Sequence, residues 1–197
     1  RQKLDYRVTA VLVAAGSSTR MGFDKLSFDL GGETVLERSV RAFDECPEVD
    51  ELVLVTGASG ENAERAAARC KKPVQLVRGG ATRAESARNG VAAAHGALVA
   101  VHDAARPFVS GEVIAAVLKA AARCGAAAPA VPVKDTIKTV AEDGAVTGTP
   151  DRSTLRAVQT PQVFEADLLK AALQSALENE VPVTDCLLYT SPSPRDA

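Results

Sequence analysis

Several common chemistries lack their raw material in this chain. Histidine occurs only at His95 and His102, which argues against a histidine-rich zinc site. The four cysteines, Cys46, Cys70, Cys124 and Cys186, are widely spaced and form no Cys-x-x-Cys pair, so reduced thiols are expected rather than a disulfide framework. No apolar run approaches the length of a membrane span, and the amino-terminal RQKLDYR has no apolar signal core, so a cytosolic protein without a membrane partner is expected. The net charge of −2 lacks the basic excess of a nucleic-acid binder. There is no G-x-x-x-x-G-K-[ST] phosphate loop and no G-x-G-x-x-G fingerprint, and two histidines give no compelling Ser-His-Asp triad.

What is present is an ordinary globular composition, 46% hydrophobic and 24% charged, in a chain long enough for one domain. Its most informative stretch is VTAVLVAAGSSTRMGFDK, residues 8–25. A β-branched apolar run (8–13) opens into Ala14-Ala15-Gly16, two serines, and then Arg20 and Lys25. Small residues let backbone N–H groups approach phosphate oxygens, and the two cations can neutralise their charge. A nucleoside triphosphate suits this loop. The alternative is a surface loop with two solvated cations.

Further along, strand-like and helix-like segments alternate. Thr34 and Glu37 have capping-box spacing before a helix over 34–46, whose inner face is Val35, Leu36, Ser39, Val40 and Phe43. Strands are expected at 51–56, 73–77, 98–101 and 126–133. Helices are expected at 60–71, from Ala84, and after Ser110 with Val113, Ile114, Val117 and Leu118 inward. Such alternation implies parallel strands, helices on both faces, and ligands at the carboxyl ends of the strands. The loops after Val13, at Gly79-Gly80 and at Asp103 can therefore converge on one edge. Residues 134–149 read as a projecting hairpin with Glu142-Asp143-Gly144 at its turn, marginal alone and suited to a second subunit. A strand at 155–159, a turn at Thr160-Pro161, and a helix at 165–179 with Leu168, Leu169, Ala172, Leu173 and Leu177 inward complete the pattern.

Asp103, at a strand end, can hold Mg²⁺ against triphosphate oxygens or simply brace its loop. Arg106 can bind a phosphate or pair with Asp103. His102 reads as a packed strand-end histidine. Ser86 can meet a base edge or cap a helix. Thr136, Lys138 and Arg152 read as exposed residues of the hairpin region.

The motifs together carry a family resemblance. AAGSSTRMGFDK resembles the signature loop of nucleotidyltransferases with a GT-A-like fold. GGATRAES (79–86), VHDAARPF (101–108), KDTIK (134–138) and TPQVF (160–164) narrow it. The combination resembles the 2-C-methyl-D-erythritol 4-phosphate cytidylyltransferase family of the non-mevalonate isoprenoid pathway. This resemblance implies one three-layer αβα domain (1–185), Rossmann-like, with a mostly parallel twisted sheet and a β-arm (134–150) that joins a homodimer. It implies transfer of the cytidylyl group from CTP to methylerythritol 4-phosphate, with Mg²⁺ as cofactor. Arg20 and Lys25 match the transition-state cations. Ala14, Ala15, Gly16, Gly80, Ser86, Asp103 and Ala104 match positions around the nucleotide, with Asp103 also near the metal. Arg106, Thr136 and Thr160 match positions around the polyol phosphate, and Arg152 is expected to reach the partner subunit's site.

Ala81 departs from the family, which often has an acidic residue there. The family also continues past Asp185 into a strand, a phosphate-holding lysine, an aspartate near the metal and a final helix. This sequence turns instead to CLLYTSPSPRDA, so 186–197 are expected to be a non-native or disordered tail and the chain a truncated form. Ribitol-5-phosphate cytidylyltransferases share most of the loops but more often carry Val at the position of Ala105. A molybdopterin nucleotidyltransferase fits only the first loop. An inactive nucleotide-binding fragment is the reading from another functional class.

Overall fold

A computed structural model describes residues 6–15, 24–57 and 60–178. Gly16, Arg20, Cys186, the Leu177 side chain and the 186–197 tail lie outside the described residues. Four parallel strands form the frame: β1 (Val8–Val13), β2 (Glu51–Thr56), β3 (Val74–Arg78) and β4 (Leu98–Asp103). Between and after them run α1 (Val35–Asp44), α2 (Glu61–Ala68), α3 (Arg83–Ala92) and α4 (Gly111–Cys124). Crossover helices on both faces let the strands be apolar throughout. Residues Val8 to Leu12 of β1 are completely buried.

Strand periodicity divides the core in two. Val8, Ala10 and Leu12 point to the layer of α1, α2 and α4, among Leu36, Phe43, Ile114 and Leu118. Val11 points the other way, among Val91, Phe164, Leu169 and Leu173. Fully burying each large side chain contributes about 1.5–3 kcal/mol. The second layer can sit close because Gly90 faces the sheet. A Cβ there would come 2.5 Å from both Val11 Cγ1 and Val55 Cγ2.

The helix starts follow their sequence signals. Thr34 caps α1 with the reciprocal Glu37 bond of a full capping box, and the Ser110 hydroxyl caps α4. The five inner residues expected of α1 are all buried. Two expected inner residues sit outside. Val113 is 38% exposed because Ile114, Val117, Leu118 and Ala121 form the inner stripe of α4. Leu168 is 42% exposed because the last helix, α5 (Ala166–Glu178), buries Leu169, Leu173 and Ala176. Each lies one residue off the stripe, a turn of about 100° away.

The later strands depart further from expectation. The segment 126–133 is broken at Ala128-Pro129. β5 (Ala126–Ala127) joins the main sheet, while β6 (Ala130–Pro132) pairs with β9 (Arg156–Val158) in a separate ribbon. Pro129 has no N–H to continue a ladder. Between them, β7 (Thr139–Val140) and β8 (Val146–Gly148) form the expected hairpin, with Gly144 at φ 85° in its turn. After Thr160-Pro161 comes an unexpected strand, β10 (Gln162–Glu165), antiparallel to both β4 and β5. The main sheet order is β3-β2-β1-β4-β10-β5.

The amino ends of the strands are tied by one buried carboxylate. Glu51 accepts from Thr9 Oγ1 at 2.6 Å, from the His95 N–H at 2.9 Å and from Arg7 at 2.5 Å. The Gly96 N–H donates in turn to Thr9 Oγ1 at 2.8 Å. Burial works to raise the Glu51 carboxyl, but the bonds from Thr9 and His95 and the Arg7 and His95 charges outweigh it and hold it below the usual range. A depressed folded-state value stabilises above the unfolded glutamate range, near 4.3, and that stabilisation is lost as pH falls through the folded value. Among the described residues Cys46, Cys70 and Cys124 are free thiols. Burial first, and the Asp44 charge second, push Cys70 up to about 11.

Glu51→Gln is expected to cost about 1–3 kcal/mol at pH 7. It should also flatten the loss of stability below about pH 4. Urea melts of both proteins across pH 3–7 test this, and parallel pH profiles would remove Glu51 as the source of the acid sensitivity.

Candidate functional site

The carboxyl ends of β1, β2, β3 and β4 open on one cleft of about 1050 Å³. Val13, Ala14 and Ala15 line it from β1, Thr56 and Gly57 from β2, the segment 78–83 from β3, and Asp103 and Ala105 from β4. The three loops expected to converge do so. Backbone bonds hold them together: the Ala14 N–H donates to Val55 O at 2.8 Å, Gly79 N–H to Thr56 O at 2.9 Å, and Ala104 N–H to Val13 O at 3.2 Å.

The Gly79 position explains its residue type. A Cβ there would stand 2.4 Å from Ala15 Cβ and 2.9 Å from Ser86 Oγ. The β1 and β3 loops can touch only because both residues are small. Ser86 is buried; its Oγ accepts from the Gly80 N–H at 3.1 Å and donates to Thr82 O at 2.9 Å. Its hydroxyl therefore shapes the turn. Thr82 and Glu85 form a second full capping box that starts α3 at Arg83, one residue before the expected start. The amino end of α3 lies on the cleft wall through Thr82 and Arg83, where its dipole favours an anion.

Lys25 lies in a short 3₁₀ turn, Lys25–Ser27, capped by Asp24, whose Oδ1 accepts from the Leu26 N–H at 3.1 Å. Asp24 is itself held by Ser27 and Asn62. The Lys25 side chain is exposed and lines the cleft, with no carboxylate paired to it among the described residues. Asp103 Oδ1 accepts from the Ala105 N–H at 3.0 Å, bracing its loop, while Oδ2 faces Arg83 at 3.7 Å. The ion partner of Asp103 is thus Arg83 and not Arg106, whose guanidinium bonds Gln159.

Other expected site residues are placed differently. Ala104 is fully buried behind the wall, its carbonyl accepting from Ser39 Oγ at 2.7 Å, while Ala105 reaches the cleft. Thr160 and Arg106 are joined through His102. This imidazole is completely buried, tilted against Phe43 with ring centroids 4.9 Å apart. Burial pushes its pKa down to about 4, against the opposing pull of the Arg106 carbonyl. The packed reading of His102 accords with this position. Thr136 and Arg152 are exposed on the arm side, away from the cleft lining, and Arg152 donates to Lys134 O at 2.8 Å. Arg83, Asp24 and Asn62 line the cleft without having been singled out in the sequence. The Thr82–Glu85 capping-box spacing was a usable signal for Arg83. Asp24 and Asn62 meet only through the fold.

The chain was compared with known proteins. The family described as 2-C-methyl-D-erythritol 4-phosphate cytidylyltransferase matches residues 8–187. A protein of that name from Symbiobacterium thermophilum is 46% identical over 186 residues, 92% of this chain and 78% of the relative. A bifunctional enzyme IspD/IspF from Anaeromyxobacter is 46% identical across 92% of this chain, which spans 48% of that longer protein. The crystal structure of 4-diphosphocytidyl-2C-methyl-D-erythritol synthase from Anaerococcus prevotii superposes with a TM-score of 0.84 at 31% identity, covering 93% of this chain and 80% of that one. The Thermus thermophilus 2-C-methyl-D-erythritol 4-phosphate cytidylyltransferase gives a TM-score of 0.74 at 34% identity, covering 93% and 82%.

Gly79→Ala should push the β1 and β3 loops apart, weakening nucleoside triphosphate binding by about tenfold or more while the core keeps its fold. Titration calorimetry with CTP, alongside circular dichroism, measures both. Undiminished binding would show that the Gly79–Ala15 approach does not shape the cleft.

Proposed function

The chain belongs to the 2-C-methyl-D-erythritol 4-phosphate cytidylyltransferase family, and on that premise we propose that it transfers the cytidylyl group of CTP to 2-C-methyl-D-erythritol 4-phosphate, releasing diphosphate. The observation that carries this reading is the cleft where four strand ends meet, with Lys25, Arg83 and Asp103 on its wall. Its size, the amino end of α3 on its wall and its cations suit a nucleoside triphosphate.

The reaction makes modest demands. The phosphate of the polyol is already ionised and nucleophilic, so no general base is required. One of its oxygens attacks the α-phosphorus of CTP in line. The bond to the β-phosphate oxygen breaks, and diphosphate leaves with the electron pair. Catalysis is then positioning plus neutralisation of charge on the phosphoryl oxygens. Lys25 is the described cation suited to that charge, with Arg20 as its proposed companion. Ala14, Ala15, Gly16, Gly80, Ser86, Asp103 and Ala104 shape the nucleotide half. Arg106, Thr136 and Thr160 are assigned to the polyol phosphate, and Arg152 to the site of a partner subunit.

A magnesium ion fits the residues present. Among the described residues there is no group of three or more potential metal ligands. Two carboxylates line the cleft among the described residues: Asp24 is engaged by Leu26, Ser27 and Asn62, and Asp103 is partly exposed. Mg²⁺ commonly takes one or two carboxylates and completes its shell with phosphate oxygens and water. Asp103 would hold it, and the ion would offset triphosphate charge. The homodimer is assigned to the arm, where Val140 and Val146 are 60% and 61% exposed. No helix among the described residues is long and apolar enough to cross a membrane. A cytoplasmic location and a lack of nucleic-acid partners complete the proposal.

The test is diphosphate release from CTP and Mg²⁺ with methylerythritol 4-phosphate or ribitol 5-phosphate as acceptor. Release with the first supports the reading; release with the second alone identifies the rival cytidylyltransferase. CTP binding without release from either identifies an inactive nucleotide-binding module. Lys25→Ala is expected to lower kcat by about 10²–10³ with an unchanged melting curve. Near-normal kcat in that variant would remove Lys25 from the transition state.

A further inference from the structure

His102 lies at the end of β4 with no exposed surface, yet both of its ring nitrogens are engaged. Nε2 is 3.1 Å from the Arg106 carbonyl oxygen, and Nδ1 is 2.9 Å from Thr160 Oγ1. A carbonyl oxygen can only accept, so Nε2 carries the hydrogen. The ring has no exposed surface, and its two partners are a carbonyl and a hydroxyl, with no carboxylate on either nitrogen among the described residues. A ring so placed is neutral, so Nδ1 is bare and can only accept. The Thr160 hydroxyl must therefore donate to it. That leaves the Thr160 oxygen as an acceptor, which the Asp103 N–H approaches at 3.4 Å.

The chain of bonds has one direction throughout. Asp103 N–H donates to Thr160, Thr160 O–H donates to His102 Nδ1, and His102 Nε2–H donates to Arg106 O. It links the turn before β10 to both ends of the loop 103–106. Phe43 of α1 packs against the ring and fixes its plane. The one hydrogen of the Thr160 hydroxyl is committed inside the protein, so toward a ligand that oxygen can only accept.

We propose that His102 is a positioning residue, fixed as its Nε2–H tautomer, that holds Thr160 as a hydrogen-bond acceptor and the Arg106 backbone in register for a polyol hydroxyl of the acceptor substrate. The inference rests on the assignment of Thr160 and Arg106 to the polyol phosphate. It goes beyond that assignment in naming the group that orients them and the donor chemistry they select. A phosphate oxygen, which carries no hydrogen at neutral pH, is a poor partner for an acceptor-only threonine. A sugar-alcohol hydroxyl is a good one.

Two measurements on the full chain test it. The ring nitrogens of [¹⁵N]histidine-labelled protein are correlated with their ring protons at pH 7.5. The Nε2–H tautomer is expected for the buried ring, and an Nδ1–H tautomer overturns the proposal whatever the activity. Steady-state kinetics are then compared for His102→Leu, His102→Gln, Thr160→Val and the Leu/Val double variant. His102→Leu should raise KM for methylerythritol 4-phosphate about tenfold or more, with KM for CTP unchanged. Gln, which can donate to Arg106 and accept from Thr160, should restore most of the loss. The double variant should be no worse than the poorer single one, because the two residues act as one unit. An unchanged KM for the polyol phosphate, equal losses for both substrates, or additive losses would each overturn the proposal. If His102→Leu does not fold, the Gln and Val variants decide it: Gln should keep the wild-type KM and Val should not. Wild-type protein that neither binds nor turns over a polyol phosphate overturns the functional reading itself and takes this inference with it, through a measurement separate from the tautomer.

Discussion

Burial of the central strands on both faces constrains everything else in this molecule. β1 is enclosed by β2 and β4 at its sides and by helices above and below. No polar side chain can stand along it without a partner, and Thr9 has one in Glu51. Chemistry is thereby driven to the strand ends. At the carboxyl ends the chain leaves the sheet, the first loop N–H groups bond across to the neighbouring strand ends, and small residues let the loops crowd together. The cleft follows from how the sheet is enclosed.

The two ends of the sheet handle charge in opposite ways. At the amino ends the Glu51 carboxylate is saturated by donors from two segments, Arg7 and Thr9 at β1 and His95 in the α3–β4 connection, and its charge is used up in holding both to β2. At the carboxyl ends Lys25 has no carboxylate partner among the described residues, and Arg83 approaches Asp103 only at 3.7 Å. Exposed pairs at that distance are weak. A ligand carrying several negative charges can therefore enlist these groups without first dismantling a strong internal bond. The amino end serves stability and the carboxyl end keeps its charges available.

Much of this was legible from the residues because local signals and tertiary outcome agree. The capping box at Thr34, the β-branched run of β1 and the position of Asp103 at a strand end all follow from short-range rules, and the box at Thr82, which the expected start at Ala84 missed, obeys the same spacing. β10 did not show itself. It has only four residues, three of them buried, so neither alternation nor length marks it, and its pairing with β4 spans some sixty residues of chain. The partner of Asp103 was also hidden. Arg106 is nearer in sequence, but the rotation of α3 brings Arg83 to the carboxylate and leaves Arg106 to Gln159. The roles of Ser86 and His102 depend on which backbone atoms the fold brings beside them, and no spacing encodes that.

The pairing of β5 with β10 has an architectural consequence. Phe164 sits opposite Ala126 and Val163 opposite Ala127, so the chain leaves the main sheet and re-enters it at adjacent positions. Everything between, including both small ribbons, is an excursion whose two feet are clamped side by side. The cost of closing such a loop rises only slowly with its length. The excursion can lengthen, shorten or be exchanged for another while the sheet stays closed beneath it. The face that the proposal assigns to the second substrate and to another subunit can thus diverge on its own schedule, while the cleft at the carboxyl ends of β1 to β4 is left unaltered.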